Sequence, residues 1–294
     1  MTLRVGLLGT GPWARRTHAP ALAAHPGVEF AGVWGRRPDA AAQLAEEFGT
    51  RAYADADALI ADVDTVAVAL PPHLQAEFAA RAARAGRHLL LDKPLAATVA
   101  DARAVAEAVE AAGVRSAVFF TLRFDPGPAR WIEQQAAAGD WLTGRADWYG
   151  SVFGAGSASP YAASPWRREK GGLWDVGPHA LSVLLPVLGD ATEVRAAAGP
   201  GDLVHLTLRH DSGASSTAAL TLSAPPEAAG VAVEFRGAHG VAAYPMGIAG
   251  PPDASMARAL DALSAPGPHP CDVRFGLRVT EILAAAEQAL GAAR

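Results

Sequence analysis

The chain has 294 residues, enough for one large domain or two ordinary ones, and half of them are hydrophobic, so that a sizeable core can form. Its net charge of −5 gives no support to a nucleic-acid partner or to binding at an anionic membrane surface. The single cysteine, Cys271, cannot form an internal disulfide and is typical of a reducing compartment. The apolar stretch near residue 5 is too short for a signal-peptide core or a membrane span. We therefore expect a soluble, cytoplasmic protein.

Strands and helices alternate over residues 1–120. Short apolar runs predict the strands, and amphipathic stretches predict the helices between them. Such alternation requires right-handed crossovers and is typical of a parallel, doubly wound sheet, so we predict an α/β Rossmann domain over residues 1–120. The predicted strands cover residues 3–9, 28–34, 65–69, 88–93 and 115–119, with helices from about residue 12 and over 38–48, 74–85 and 98–112.

The pattern changes after residue 121, where several strand-like segments are joined by short connections. Short connections indicate antiparallel pairing. We predict a second, α+β domain over residues 121–294, with a mainly antiparallel sheet, that binds substrate and forms oligomers. Its predicted elements are helices over 127–138, 174–188 and 274–293, strands over 144–149, 194–197, 203–209, 215–222 and 231–236, and loops over 150–172 and 247–270, the latter with at most one short helical turn.

A glycine motif, Gly9-Thr-Gly-Pro-Trp-Ala14, follows the first predicted strand and opens a helix. Glycines at its first and third positions permit a tight turn and let the backbone approach a pyrophosphate, while the helix N-terminus offers N–H groups and a favourable dipole. The motif predicts a dinucleotide site, and the alternative is a plain glycine turn in a fold that binds nothing. The predicted cofactor-binding residues here are Gly9, Thr10, Gly11, Pro12 and Trp13.

The second predicted strand ends in Trp34-Gly-Arg-Arg-Pro38. An NAD site usually has an acidic residue here that binds the ribose 2′-hydroxyl, but Gly35 occupies that position. Arg36 and Arg37 follow, and arginine pairs well with phosphate. The segment predicts a 2′-phosphate site, so that NADP(H) is preferred and NAD(H) is possible. The alternative is two solvated arginines in a loop.

Lys93 is one of only two lysines among the 25 Lys and Arg side chains. It closes the predicted strand that begins at His88, and ligands of open α/β sheets bind at the carboxyl ends of strands. Lysine offers a compact ammonium, whereas arginine is planar and always protonated. We therefore predict a functional role for the Lys93 ammonium, and the alternative is a surface lysine in a loop.

The third motif is Lys170-Gly-Gly-Leu-Trp-Asp-Val-Gly-Pro-His179. Asp175 and His179 are four residues apart, so in a helix they share one face. The proline before His179 lacks an N–H, so the helix begins only slightly earlier and its positive end favours an ionised Asp175 and a neutral His179. This arrangement predicts an acid/base histidine; the alternative is a helix-capping aspartate and a packed histidine. The sequence shows no zinc-type ligand spacing, so we predict no metal.

Together these motifs resemble the Gfo/Idh/MocA oxidoreductases, the relatives of glucose-fructose oxidoreductase and inositol dehydrogenase. Asp92-Lys-Pro94 is similar to the Glu-Lys-Pro of the family. The resemblance implies that Lys93 lies near the nicotinamide and the substrate hydroxyl, that His179 is the acid/base and that Asp175 orients or tunes these groups. It also implies cofactor contacts from Leu70, Pro71 and His73, and from Asp92, Lys93 and Pro94.

Two further segments carry the resemblance with changes. Residues 69–77 are similar to the Thr-Pro-Asn-x-x-His stretch of the family, with Pro72 in place of the asparagine and Gln75 in place of the histidine. Ser182 stands where the family often has aspartate. The resemblance implies a substrate pocket formed by Lys93, Arg123, Trp166, Arg167, Asp175 and His179. Trp166 is equally well explained as core.

The function that we predict is NADP-dependent hydride transfer between the nicotinamide and a hydroxyl or carbonyl carbon of a sugar, cyclitol or sugar-derived metabolite. The alternatives are an enzyme of the glycosidase type that retains NAD(P), an imine or enone reductase, and a non-catalytic dinucleotide sensor. The resemblance also implies a homodimer or homotetramer in which the second-domain sheets pack face to face. The apolar side chains that we expect on that face are Val194, Val204, Leu206, Leu208, Leu220 and Leu222.

Overall fold

The computed structural model describes residues 2–245, 247–265 and 267–292, and the chain divides into two compact units. The first unit comprises the residues up to Asp125 together with Gly250–Arg278. The second comprises Pro126–Ala249 and the residues from Val279 onward. Residues 250–278, which were predicted as part of the second domain, pack with the first unit.

The first unit contains a five-stranded parallel sheet, which confirms the predicted Rossmann architecture. The strand order is β2-β1-β3-β4-β5, and every pair is parallel. The central strands are buried on both faces, as expected where helices cover a parallel sheet, and this explains their continuous apolar runs. The strands are β1 (Leu3–Leu8), β2 (Val28–Trp34), β3 (Thr65–Val68), β4 (His88–Asp92) and β5 (Ser116–Phe119).

Capping residues mark the ends of some helices of residues 14–125, and other helices have a proline in their first two positions. The Thr98 hydroxyl accepts a hydrogen bond from the Asp101 N–H at 3.1 Å at the start of α5, and Gly113, with φ of 62°, ends that helix. Two helices, α3 and α6, were not predicted; α3 is capped by the Asp55 carboxylate. The helices are a π-helical turn (Ala14–His18), α1 (Ala19–Ala24), α2 (Pro38–Glu47), α3 (Ala56–Ala61), α4 (Pro72–Arg84), α5 (Val99–Ala112) and α6 (Thr121–Phe124).

The second unit contains a mostly antiparallel sheet, as predicted. It has six strands in the order β11-β10-β6-β9-β8-β7, and β11 was not predicted. One neighbouring pair, β6 and β9, is parallel because the chain leaves β6 and returns through two helices and two other strands. Its elements are α7 (Pro126–Ala138), β6 (Trp141–Tyr149), α8 (Pro165–Asp175), α9 (Gly177–Leu188), β7 (Ala191–Ala198), β8 (Val204–His210), β9 (Ser215–Thr221), a 3-10 turn (Pro226–Ala228), β10 (Gly230–Gly237) and β11 (Gly240–Ala243).

The loop predicted over residues 150–172 is shorter than expected. Helix α8 begins at Pro165, which occupies an early helical position, and it includes Gly171 at φ of 60° and ψ of −160°. Gly171 has a positive φ and kinks the helix. Because two glycines are typical of a loop, this part of α8 was predicted as one. The helix predicted over 174–188 is divided at Val176.

The two faces of the second-unit sheet differ in polarity. The helix-covered face is apolar: among the side chains on which we based face-to-face packing, Val204, Leu206, Leu208, Leu220 and Leu222 are all at most 7% exposed, and Val194 is half-buried. Those side chains are therefore not available on the open face. The prediction that they form the apolar surface for face-to-face packing was wrong. The exposed residues on the alternate positions include the polar Arg145, His205, Thr207, Arg209 and Thr217, and also the apolar Val241 of β11.

The remaining helices are α10 (Pro252–Ser264) and α11 (Val273–Ala292). The loop predicted over 247–270 was wrong for α10, whose apolar face lies against α1, α6 and β5 of the first unit. Met256, Ala259 and Leu260 on that face are fully buried. The flanking Pro- and Gly-rich residues obscured the helical pattern. The closing helix was predicted over 274–293, and residue 293 lies outside the described residues.

Candidate active site

The glycine loop follows β1 in the first unit. Gly9 has φ of 131°, and a Cβ there would overlap the carbonyl oxygen of Ala69, so only glycine lets the loop pass this close to the end of β3. A Cβ at Gly11 would meet no atom within 4 Å. The surroundings of Gly11 are therefore open, and packing does not explain its missing side chain. This open approach to the backbone fits a pyrophosphate at the start of the following helix.

Asp92, at the end of β4, forms hydrogen bonds with two residues that follow the glycine loop. The indole Nε1–H of Trp13 donates to Asp92 Oδ1 at 3.0 Å. Nε2 of the fully buried His18 lies 3.3 Å from each carboxylate oxygen of Asp92. Two predicted cofactor residues, Trp13 and Asp92, are thus in direct contact. His18, which the π-helical turn brings to the same carboxylate, was not among the predicted site residues.

Lys93 directly follows β4 and is half-buried, and its bond to Pro94 is cis. The side chain of Gln75 lies against the backbone of this turn and is fully buried. Of the other predicted cofactor residues, Leu70 follows β3, Pro71 directly precedes α4, and His73 is exposed in the first turn of that helix. They therefore lie at the carboxyl end of the strand beside β4, on the edge of the sheet where such folds bind ligands.

The residues after β2 form a short exposed turn. A Cβ at Gly35 would lie 2.6 Å from Cγ2 of Thr10, so Thr10 occupies the space that a side chain at the usual position of the acid would need. Arg36 and Arg37 are both exposed. Within the described part of the chain, neither guanidinium has a hydrogen bond or an ion pair. The two charges are therefore available to an anion.

In the second unit, the glycine pair seats the kinked helix on the sheet. A Cβ at Gly172 would lie 2.5 Å from Cα of Thr221, so α8 packs backbone to backbone against β9. The Asp202 carboxylate accepts hydrogen bonds from the N–H groups of Gly172 and Leu222, each at 2.9 Å, and from the Thr221 hydroxyl at 2.6 Å. These bonds fix the segment from which Asp175 projects. Asp202 was not among the predicted site residues.

Asp175 lies four residues beyond Gly171, in the first turn after the kink. Its backbone continues into α9 through Val176, whose N–H donates to the Gly172 carbonyl at 2.9 Å. Asp175 is buried, and its Oδ2 accepts from Nε of Arg167 at 3.0 Å. An opposite charge at this distance favours the ionised carboxylate.

Arg167 is held between two aromatic rings. Its guanidinium carbon lies 4.4 Å from the ring centroid of Trp166 and 4.7 Å from that of Tyr161. Such stacking keeps the planar group in one orientation. Trp166 is half-buried and contacts Arg167, so it is not the plain core residue that was the alternative. Two predicted substrate residues therefore belong to one cluster with Asp175, and Tyr161 is an addition.

His179 is the third residue of α9 and is half-buried. Its imidazole stacks on the indole of Trp148 from β6, with ring centroids 5.0 Å apart and planes 16° apart. The Ser182 hydroxyl donates to the His179 carbonyl at 2.8 Å, so the serine that stands in place of the family aspartate bonds to backbone. The stack fixes the plane of the imidazole. Nothing in the sequence pointed to Trp148, because its partner is 31 residues away.

Arg123 of α6 belongs to the first unit, where its guanidinium carbon lies 5.9 Å from the ring centroid of Phe275. The adjacent Phe124 stacks on His269 at 4.6 Å. Burial, followed by the charge of Arg123, lowers the pKa of His269. Burial also raises the pKa of Cys271 to about 11, so this thiol is an unreactive core group.

Within the described ranges, no cluster of three or more His, Cys, Asp or Glu side chains is arranged to hold a metal ion. No described helix has both the length and the apolar character needed to cross a membrane.

Among curated relatives, the chain is similar to levoglucosan dehydrogenase of Pseudarthrobacter phenanthrenivorans, at 32% identity over 66% of this chain and 53% of the relative. It is also similar to dTDP-3,4-didehydro-2,6-dideoxy-alpha-D-glucose 3-reductase of Streptomyces violaceoruber, at 31% identity over 71% of this chain and 58% of the relative. The chain thus spans little more than half the length of these relatives.

A solved structure of levoglucosan dehydrogenase, in complex with NADH and levoglucosan, shares the fold with a TM-score of 0.84. It is 24% identical and covers 99% of this chain and 98% of that chain. Two family models also match: residues 3–120 match an oxidoreductase family with an NAD-binding Rossmann fold, and residues 129–243 match the GFO/IDH/MocA C-terminal domain. The two models describe the two domains of one family, and together they match more than half of this chain. The chain therefore belongs to the Gfo/Idh/MocA oxidoreductases.

Proposed function

We propose that the protein transfers a hydride between a nicotinamide dinucleotide and a hydroxyl or carbonyl carbon of a sugar, a cyclitol or a sugar-derived metabolite. The observation that carries the proposal is the hydrogen bond between the side chains of Trp13 and Asp92. It links the open glycine loop to the end of β4, which Lys93 follows. The names of the two curated relatives, both acting on sugars, support the substrate class.

The dinucleotide, when bound, accepts or donates the hydride at its nicotinamide ring. The residues that would hold it are Gly9, Gly11 and the helix start at Pro12 for the pyrophosphate, with Lys93 and Pro94 at the end of β4. Open space at Gly11 and the close approach of Gly9 to Ala69 fit this role.

The proton chemistry is assigned to His179 and Lys93. In the oxidative direction His179 takes the hydroxyl proton, and in the reductive direction it returns that proton to the alcohol oxygen. The Lys93 ammonium stabilises the developing oxyanion by charge and hydrogen bonding. Asp175, paired with Arg167, holds its carboxylate ionised one helical turn before His179. Trp148 keeps the imidazole plane fixed during the transfer.

We propose NADP(H) as the preferred cofactor, with NAD(H) as the second choice. Two features support this preference. Thr10 fills the space at Gly35 where an acidic side chain would bind the 2′-hydroxyl, and the exposed Arg36 and Arg37 have no protein partner in the described ranges. Arginine forms strong charge-assisted bonds with phosphate.

The proposed assembly is a homodimer or homotetramer through the open face of the second-unit sheet. The polar side chains of that face run in cross-strand rows. One row pairs Arg195 with Thr207, Thr217, Arg145 and Glu234 on successive strands. Because the row carries charges of both signs, a second copy of the chain could match it by charge pairing instead of by apolar burial.

A two-way screen tests the function. NADPH oxidation is followed with ketosugars, and NADP reduction with polyols and sugars, for the wild type and for Lys93→Met. The proposal expects turnover in at least one direction that Lys93→Met loses. The absence of turnover in a protein that also fails to bind either dinucleotide in calorimetry would reject it. Dinucleotide that co-purifies and does not exchange would instead favour an enzyme that retains its cofactor.

A further inference from the structure

A single buried side chain spans the turn that carries Lys93. Nε2 of Gln75 lies 2.7 Å from the carbonyl oxygen of Asp92, on one side of the lysine. The same nitrogen lies 3.1 Å from each of the carbonyl oxygens of Pro94 and Leu95, on the other side. Oε1 of Gln75 accepts the Asp92 N–H at 2.8 Å. One amide group therefore bridges the end of β4 and the residues after the turn.

This role requires a side chain that both donates and accepts. The side chain of Gln75 is fully buried, and its amide nitrogen lies within hydrogen-bond distance of all three carbonyl oxygens. A buried carbonyl without a donor is costly, so removal of the amide destabilises the turn and lets it move. Glutamine supplies two N–H donors, which the three carbonyl oxygens share, and an amide oxygen that accepts the Asp92 N–H.

The position of Gln75 in its helix explains how it reaches the turn. Pro71 and Pro72 start α4 directly after β3, and Gln75 lies one turn further on the buried face of the helix. Because β3 and β4 are neighbouring parallel strands, the first turn of α4 lies at the carboxyl end of β4. The Asp92 side chain is held separately, by Trp13 and His18. The residue before Lys93 is thus fixed through both its backbone and its carboxylate.

We propose that Gln75 is a positioning residue for Lys93. Its hydrogen bonds hold the backbone on both sides of the lysine, and this fixes the place from which the ammonium acts. The inference rests on the proposed function for the role of Lys93 in hydride transfer. The hydrogen bonds themselves are independent of that function, and so is the test of the lysine's position.

Because the chain has only two lysines, the reactivity of Lys93 can be measured directly against that of Lys170. Trace acetylation with acetic anhydride, followed by mass spectrometry, gives the ratio of the modification rates of Lys93 and Lys170. Lys170 lies in the second unit and pairs with Glu287 at 3.0 Å, so it serves as the internal standard. The variants are Gln75→Met, which has similar size and no amide, and Gln75→Asn, which keeps the amide but is one methylene shorter. The control is Leu44→Ala, which opens the core beneath α2 without touching the turn.

We expect the Lys93 to Lys170 ratio to rise at least threefold in both glutamine variants and to keep its wild-type value in Leu44→Ala, although all three lower the melting temperature. Gln75→Asn decides the matter if Gln75→Met does not fold. A wild-type ratio in either folded glutamine variant would overturn the proposal, and so would an equal rise in Leu44→Ala.

Addition of NADPH or NADH separates this inference from the proposed function. If the dinucleotide slows acetylation of Lys93 in the wild type, the lysine lies at the cofactor site. If it does not, while the ratio still rises in the glutamine variants, the proposed function fails and the positioning role stands. With a substrate found by the screen, the glutamine variants should lower kcat at least tenfold and leave the dinucleotide Kd within threefold of wild type. A fall in dinucleotide affinity alone, with kcat unchanged, would contradict positioning.

Discussion

The imidazole of His179 stacks on the indole of Trp148 with centroids 5.0 Å apart and planes 16° apart. His179 lies in α9 and Trp148 lies in β6 of the same unit, so the stacking contact fixes the plane of the proposed acid/base ring. We predict that Trp148→Ala lowers kcat by about 10–100-fold, because a small misplacement of a reacting group costs that much. Trp148→Phe keeps an aromatic face and should retain most of the activity. Equal losses in both variants would show that the stack does not orient His179.

His179 itself should contribute through proton transfer. We expect His179→Ala to lower kcat by about 10²–10⁴, the usual range for general acid–base catalysis. NADPH affinity, measured by calorimetry, should barely change. Melting temperature and single-turnover hydride transfer are compared on the same preparation. A folded variant with normal hydride transfer would remove His179 from the mechanism and leave it as a packed histidine.

The strand–helix alternation and the glycine loop were predictable because both depend on residues that are close in sequence. Apolar runs gave β1 to β5 nearly to the residue, and Thr98 caps α5 as its spacing with Asp101 suggests. The chemistry of the candidate residues was likewise local, since Lys93 and His179 lie in short motifs.

The remaining features depend on contacts that no local pattern records. His18 reaches Asp92 across 74 residues, and Asp202 reaches Gly172 across 30. Helix α10 was missed because prolines and glycines flank it, although its buried face has ordinary helical spacing. Helix α8 was predicted as a loop because it contains a glycine pair, and Gly171 kinks the helix there. In the second-unit sheet, alternation predicted β6 to β10 but neither β11 nor the face that the helices cover.

Cofactor preference follows from Arg36 and Arg37. We predict that the double variant Arg36→Ala, Arg37→Ala loses NADPH affinity by about 1.5–3 kcal/mol, the cost of charge-assisted hydrogen bonds to phosphate, while NADH affinity is unchanged. Arg84→Ala removes an exposed arginine at the end of α4 and is the matched control. Calorimetry of both dinucleotides measures the effect. Equal wild-type affinities for NADPH and NADH would reject the preference.

The two glycines of the loop should respond differently to alanine. Gly9→Ala places a Cβ against Ala69 at a φ of 131°, so we predict a loss of stability of about 1–3 kcal/mol from backbone strain and overpacking. Gly11→Ala meets no atom within 4 Å, so its melting temperature should match that of the wild type, whereas dinucleotide affinity should fall because the methyl group occupies the approach to the backbone. Unchanged affinity in Gly11→Ala would place the pyrophosphate elsewhere.

Stability at mildly acidic pH should depend on His210. Its side chain is buried in the second unit, with Nδ1 at 2.9 Å from the Gly189 carbonyl and Nε2 at 2.8 Å from the Ser216 hydroxyl. Burial lowers the pKa of His210 below its ordinary value of 6.5. Between the lowered pKa and 6.5 the unfolded chain binds more protons than the folded chain, so stability rises with pH in that window. The contribution of neutral His210 to the free energy of unfolding is fully present above pH 6.5. It is lost as the pH falls through the lowered pKa of His210 in the folded state.

We therefore predict that the melting temperature falls as pH is lowered from 7.5 to 5, and that the fall is shallower in His210→Gln, whose amide keeps a donor and an acceptor but does not titrate. Burial also lowers the pKa values of His88 and His269, so part of the slope should remain. His205→Gln, at an exposed position of the same strand, is the control and should keep the wild-type slope. Melting curves across this pH range measure all three proteins. A slope in His210→Gln as steep as that of wild type would mean that protonation of His210 does not limit stability in acid.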